Sequence, residues 1–165
     1  MNPLPPETES VGRCVLDAAF EVHTELGPGL LESVYQQCLA HVLIMKGYSV
    51  VLEQPVPVKF KGHSIDCGFR ADIIVDDLVL VELKAVDEMK PIYTSQILTY
   101  LRLTSIQLGF LINFNVIHLK DGIRRFVRPD LLREPTNGAI TTPKKANHAG
   151  IRFTSAESTH PERSR

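Results

Sequence analysis

Residues 78–81 read Leu-Val-Leu-Val and carry no polar residue at alternate positions. A strand with one face in water alternates apolar and polar residues, whereas a strand covered on both faces is apolar throughout. The run therefore predicts a sheet with helices packed on both of its faces. A second apolar run at residues 69–75 precedes it, and Asp76 and Asp77 between the two runs indicate a hairpin.

Helical periodicity on either side of the strands supplies the covering layers. Apolar residues recur at helical spacing over residues 11–26 and 31–43. Pro28 separates the two helices because it cannot donate a helical hydrogen bond. Pro91 is suited to the first turn of a third helix.

The remaining segments are predicted strands. Residues 50–60 read as an extended segment that Pro55 and Pro57 confine to a sheet edge or a bend, because proline lacks the amide proton of a central strand. Residues 108–114 read as a further buried strand and residues 116–127 as one or two short ones. The order, roughly ααβββαββ, predicts a mixed α/β fold with a central mixed sheet flanked by helices.

Composition predicts a flexible N-terminus at residues 1–9, one domain at residues 10–133 and a disordered tail at residues 134–165, which is poor in apolar residues. Residues 1–133 carry 13 basic and 16 acidic residues and the tail carries five and three, so the net charges are −3 and +2. No apolar run approaches the roughly 18 residues of a membrane span, and no secretory signal is visible. We therefore expect a cytoplasmic protein without membrane contact.

Three charged residues interrupt the paired strands: Asp72 in the first, and Glu82 and Lys84 at the end of the second. A carboxylate flanked by Ile and Val needs compensation, and a divalent cation is one such partner. Mg²⁺ prefers oxygen ligands, commonly one or two carboxylates with water and phosphate oxygens. Because side chains alternate along a strand, Lys84 shares a face with Glu82, where it could orient or deprotonate a water and stabilise phosphate charge.

The length of the hairpin loop decides whether Asp72 and Glu82 can share a cation. A two-residue loop at Asp76 and Asp77 places Asp72 opposite Val81, on the other face from Glu82. A loop of three or five residues places Asp72 directly opposite Glu82. A metal site therefore requires an odd loop length or an equivalent bulge.

The Glu-x-Lys spacing is weak by itself, because residues 88–90 also have it and about one such match is expected by chance. Only Glu82 and Lys84 end a predicted buried strand beside a second acidic strand residue. From the residues alone a purely structural interpretation stays open, in which the charges emerge at the sheet border and Arg70 bonds Asp72.

Several segments resemble the GxxExxY protein family, a branch of the PD-(D/E)XK nuclease superfamily. Residues 29–35 read Gly-Leu-Leu-Glu-Ser-Val-Tyr, which has the spacing that names the family. The similarity continues in the same order through segments 69–72, 81–86, 96–101 and 109–115. It covers approximately residues 11–129, and several ordered motifs are more specific than any one of them.

The resemblance implies a restriction-endonuclease-like fold in which Asp72 and Glu82 bind Mg²⁺, or Mn²⁺ in its place. It implies that Lys84 serves the hydrolytic step and that Glu32 completes the acidic cluster. Tyr93 departs from the family pattern, which often has a histidine there.

The resemblance also implies supporting roles on neighbouring elements, and each has a structural alternative. Gln96 and Tyr100 would lie on the helix after the site, but they share a helix face and could simply bond each other. Glu32 lies in a first helical turn, where the helix dipole favours a carboxylate. Arg70 is expected to neutralise a site carboxylate rather than contact DNA, and Tyr35, on the apolar stripe, is expected in the core.

Two functions of different classes follow. The first is a Mg²⁺-dependent nuclease that hydrolyses phosphodiester bonds of DNA, or less readily RNA, through a metal-bound water. The second is a noncatalytic nucleic-acid- or protein-binding module that keeps the nuclease fold. A homodimer is a further expectation, because duplex cleavage needs two nicks and one small subunit has one site.

Overall fold

A computed structural model describes residues 4–66 and 69–128 of the chain. Four helices and seven strands follow one another along it. In chain order they are α1 (Pro6–Leu26), α2 (Glu32–Met45), β1 (Val50–Pro55), β2 (Val58–Phe60), β3 (His63–Ile65), β4 (Arg70–Val75), β5 (Val79–Lys84), α3 (Pro91–Leu103), β6 (Leu108–Asn113), α4 (Leu119–Gly122) and β7 (Ile123–Val127).

Five of the strands form one mixed sheet in the order β1-β4-β5-β6-β7. β5 and β6 are parallel, and every other neighbouring pair is antiparallel. β2 and β3 form a separate two-stranded hairpin. The predicted mixed α/β fold is confirmed, and β1, which ends at Pro55, lies at a sheet edge, where a proline is tolerated.

Two hydrophobic clusters cover the sheet, one on each face. Val79, Val81 and Leu83 of β5 contribute to the cluster that contains α1 and α2, whereas Leu80 contributes to the cluster that contains α3. All six residues of β5 are buried. The apolar run therefore does form a strand covered on both faces. Glu82 and Lys84, at even positions like Leu80, continue the row that faces α3.

The secondary structure departs from the sequence prediction in three places. The segment 50–60 divides at Pro57, and its second half pairs with β3 rather than extending β1. The short helix α4 replaces part of the extended structure expected at residues 116–127, and Leu119 anchors it in the core. α1 begins at Pro6, inside the range expected to be flexible, because proline and acidic residues suit a first helical turn.

The tail predicted at residues 134–165 lies outside the described residues. Within the part of the chain that is described, no helix combines the length and the apolar character needed to cross a bilayer.

Candidate active site

The hairpin between β4 and β5 has a three-residue loop. The register pairs Ile73 with Val81 and Val75 with Val79, which leaves residues 76–78 as the loop and places Asp72 opposite Glu82. Asp76 and Asp77 adopt left-handed backbone conformations, with φ of 50° and 56°. Aspartate tolerates this conformation better than most residues do. The odd loop length that a shared cation site requires is confirmed.

Glu82 and Lys84 form a buried ion pair. Their exposed fractions are 1% and 8%, and Lys84 Nζ lies 2.9 Å from Glu82 Oε1. Lys84 Nζ also donates to the Leu83 carbonyl at 2.6 Å and lies 5.4 Å from the centre of the Tyr93 ring. Tyr93 thus contributes a cation–π contact to this lysine.

Asp72 is fixed by the backbone of the neighbouring strand. The Leu83 N–H donates to Asp72 Oδ2 at 2.7 Å. Backbone pairing between β4 and β5 ends at Ile73 and Val81, so this side-chain bond takes over where the ladder stops. The bond holds the Asp72 carboxylate beside the end of β5, next to Glu82.

Burial dominates the electrostatics of the two carboxylates. Burial raises the pKa of Glu82 to about 7, and the charge of Asp72 adds to the rise while Lys84 opposes it. Burial also raises the pKa of Asp72 to about 6, against the hydrogen bond from Leu83 and the attraction of Lys84. Burial lowers the pKa of Lys84, but the charge and hydrogen bond of Glu82 outweigh it, and the pKa is raised overall. Lys84 is therefore a cation at neutral pH.

Glu32 belongs to the same electrostatic environment. It is the first residue of α2 and is half-buried, and its charge contributes to the raised pKa values of Asp72, Glu82 and Lys84. Within the described residues, however, no three His, Cys, Asp or Glu side chains are grouped closely enough to hold a metal ion. Glu32 thus lies near the two strand carboxylates without completing a preformed set of three ligands.

Tyr35 joins the loop before Glu32 to the hydrophobic core. The Tyr35 hydroxyl donates to the Gly27 carbonyl at 2.7 Å and accepts from the Leu30 N–H at 3.1 Å. Its ring is fully buried and stacks on Phe114 with ring centres 4.5 Å apart. Tyr35 is a core residue, as expected, and it fixes the loop that leads into Glu32.

Gln96 and Tyr100 bond each other, as their spacing allows. Gln96 Nε2 donates to the Tyr100 hydroxyl at 3.1 Å, and the Tyr100 ring contacts Phe69 edge-on. Burial raises the pKa of Tyr100, and the charges of Glu82 and Asp72 contribute to the rise. The pair therefore lies beside the acidic residues.

The expectation that Arg70 neutralises a site carboxylate is wrong. Among the described residues Arg70 forms no ion pair with Asp72 or Glu82, and its Nη1 lies 3.5 Å from the backbone carbonyl of Glu53. Arg70 is exposed. Lys84, which is closer to Glu82 along the same strand, supplies the neutralising charge instead.

Two polar residues at the site were not predicted from the sequence. Gln36 Nε2 donates to Glu53 Oε1 at 2.6 Å and to the Asp72 carbonyl at 3.0 Å. Gln36 lies four residues after Glu32, so helical spacing alone could have placed both on one face. Nothing in the local sequence of Glu53 indicates its proximity to Asp72, because that proximity depends on how β1 pairs with β4.

The donor set fits a hard divalent cation. Among the described residues, Glu82 Oε2 is a buried side-chain oxygen without a hydrogen-bond partner. Burying a carboxylate oxygen without a partner is costly, and a cation next to it would remove that cost. Two neighbouring carboxylates match the ligands that Mg²⁺ commonly takes from proteins.

Comparison with known proteins agrees with this geometry. A family model described as the PD-(D/E)XK nuclease superfamily matches residues 9–126, which is most of the chain. Comparisons with curated proteins and with solved structures find no match. The GxxExxY branch stays a prediction, because the match is at the level of the superfamily. The mixed sheet flanked by helices is consistent with a restriction-endonuclease-like fold, and the chain belongs to the PD-(D/E)XK nuclease superfamily.

Proposed function

We propose that this chain is a divalent-metal-dependent nuclease that hydrolyses phosphodiester bonds, with DNA as the first candidate substrate and RNA as the second. One observation carries the proposal. The three-residue hairpin loop places Asp72 opposite Glu82, and Glu82 keeps a buried oxygen that lacks a hydrogen-bond partner. Superfamily membership supports the same reaction class. For a DNA duplex, we extend the proposal to a homodimer, since two nicks require two sites. We also propose that the protein acts in the cytoplasm.

Asp72 and Glu82 would bind the cation, either Mg²⁺ or Mn²⁺. Glu32, at the start of α2, would add a third negative charge near it. A cation bound there polarises phosphate oxygens and lowers the pKa of a water molecule. The hydrogen bond from Leu83 to Asp72 fixes the carboxylate before any substrate arrives, so little reorganisation is required.

Lys84 would act as a hydrogen-bond donor and not as a general base. Its pKa is raised, so Nζ keeps its proton at neutral pH and can orient a water or stabilise charge on the phosphate. Contacts with Glu82, the Leu83 carbonyl and the Tyr93 ring restrict where the ammonium can lie. Gln96 and Tyr100, which bond each other beside the acidic residues, would support this centre from α3.

The test is cleavage of labelled single- and double-stranded DNA and RNA by the purified full chain with Mg²⁺. Glu82→Gln removes the charge while keeping the shape, and Glu88→Gln makes the same change in the exposed copy of the Glu-x-Lys spacing. We expect wild type and Glu88→Gln to cleave at equal rates and Glu82→Gln to be inactive. Equal rates for wild type and Glu82→Gln would refute catalysis at this site.

A noncatalytic binding module remains the second candidate, and the Lys84–Glu82 ion pair favours it. This pair already gives Glu82 a cationic partner from within the chain, at 2.9 Å. Calorimetric titration of the folded protein with Mg²⁺ and Mn²⁺ separates the two functions. Binding supports the nuclease, whereas intact folding without detectable binding supports the module.

A further inference from the structure

The Gln36 side chain joins three elements around the candidate metal ligands. From α2, its Nε2 donates to Glu53 Oε1 of β1 at 2.6 Å and to the Asp72 carbonyl of β4 at 3.0 Å. Gln36 is only 8% exposed. Both protons of one amide nitrogen are therefore used, one on each strand.

These bonds lie where the sheet stops holding Asp72 through its own backbone. The backbone pairing of β4 with β5 runs from Val75 back to Ile73, so Asp72 is the first residue of β4 beyond it. The Leu83 N–H then bonds the Asp72 carboxylate, and Gln36 bonds the Asp72 carbonyl. A side chain of α2 thus bonds the backbone of Asp72, and the neighbouring strand bonds its carboxylate.

Glu53, the second partner of Gln36, has an unusual backbone. The pairing of Leu52 with Ile73 and of Gln54 with Ala71 places Glu53 opposite Asp72 on the edge strand. Its φ of 51° is uncommon for a residue other than glycine, and such conformations occur preferentially at functional sites. The hydrogen bond from Gln36 ties the Glu53 side chain to α2.

We propose that Gln36 is a positioning residue for the metal site, with Glu53 as its anchor, and that the two act as one unit on Asp72. This inference rests on the proposed nuclease function. Residues that orient metal ligands through hydrogen bonds typically change metal affinity or activity by 10- to 100-fold when they are replaced. Loss of the Gln36 amide should therefore weaken metal binding without removing a ligand.

The test compares Gln36→Met with Gln37→Met in the full chain. The two substitutions are identical and lie at adjacent positions, but Gln37 is exposed. Mn²⁺ affinity is measured by electron paramagnetic resonance, and the Mg²⁺ concentration for half-maximal cleavage is measured in parallel. We expect Gln36→Met to raise the Mn²⁺ dissociation constant and the half-maximal Mg²⁺ concentration by about tenfold or more and to keep kcat near wild type at saturating metal. We expect Gln37→Met to change neither quantity.

Glu53→Ala tests whether the two residues form one unit. Glu53 is exposed, so this variant keeps the test available if Gln36→Met unfolds. Glu53→Ala should also raise the Mg²⁺ concentration for half-maximal cleavage. The double variant should raise it no further than Gln36→Met alone. Additive shifts would overturn the unit, because they would mean that Glu53 acts through its charge independently of Gln36.

The outcomes separate this inference from the function on which it rests. If wild type binds metal and cleaves while Gln36→Met behaves like Gln37→Met, the positioning role is overturned and the nuclease stands. If wild type neither binds metal nor cleaves, the proposed function fails and the positioning role fails with it.

Discussion

Replacing Glu82 by Gln should stabilise the metal-free protein while it abolishes activity. Glu82 is almost completely buried, and its raised pKa means that the fold favours the protonated form. Gln resembles that protonated form in shape and charge. The variant therefore avoids the free-energy cost of an ionised, buried carboxylate, which wild type carries at neutral and alkaline pH.

The size and the sign of this effect follow from the pKa. The pKa of Glu82 rises from 4.5 to about 7 on folding. Because each pKa unit corresponds to about 1.4 kcal/mol, ionising Glu82 in the folded state costs on the order of 3 kcal/mol. Because the folded state holds the proton more tightly, the unfolding free energy of wild type falls as pH rises above 4.5 and levels off above about 7. Asp72 adds a change of the same sign between 3.8 and about 6.

Urea denaturation at intervals from pH 4 to pH 8.5, with a chelator present, measures the difference directly. The stability of Glu82→Gln relative to wild type should increase with pH up to about pH 7, by about 2–3 kcal/mol. Glu88→Gln, the matched change at an exposed position, should follow wild type. A difference between Glu82→Gln and wild type that does not vary with pH would refute the argument, because no proton would then be linked to folding at Glu82.

Other contacts of the site give three outcomes that simple assays can check. Lys84→Met removes the cation beside Glu82, so initial cleavage rates should fall about 100-fold or more, while Lys90→Met, at an exposed position, should leave them unchanged. Tyr35→Phe removes the hydroxyl that bonds the loop before Glu32. This should lower the unfolding free energy by about 1–2 kcal/mol and reduce the cleavage rate. An unfolding free energy and a cleavage rate equal to those of wild type would contradict this role. Mg²⁺ at 100 times its dissociation constant should add about 2.7 kcal/mol to wild-type stability at pH 8, a gain that a chelator reverses and that Glu82→Gln lacks; equal gains in both proteins would place the cation elsewhere.

The core of the site was predictable because strand geometry is periodic. Alternation along β5 fixes Glu82 and Lys84 on one face, and the loop length then decides the position of Asp72. An odd loop was a requirement of the metal hypothesis rather than a conclusion from residues 76–78, and the structure supplies it.

The errors and omissions at the site concern contacts between elements distant in sequence. Gln36 reaches β1 and β4 across 17 and 36 residues, and no local pattern encodes such a contact. The prediction for Arg70 is a site carboxylate, Asp72 or Glu82, as its partner, but its side chain lies near the carbonyl of Glu53 instead. The break at Pro57 was only partly foreseen, because the same prolines permit either a bent strand or two separate ones.

The position of a bound cation is the most direct test of the metal site. Crystals of the full chain soaked in Mn²⁺ at pH 8 can be measured at a wavelength where manganese scatters anomalously. We predict one strong anomalous peak within about 2.2 Å of Glu82 Oε2 and of an Asp72 carboxylate oxygen, and no such peak in Glu82→Gln. A wild-type crystal without a peak between these two carboxylates, or with its peak elsewhere, would contradict the account.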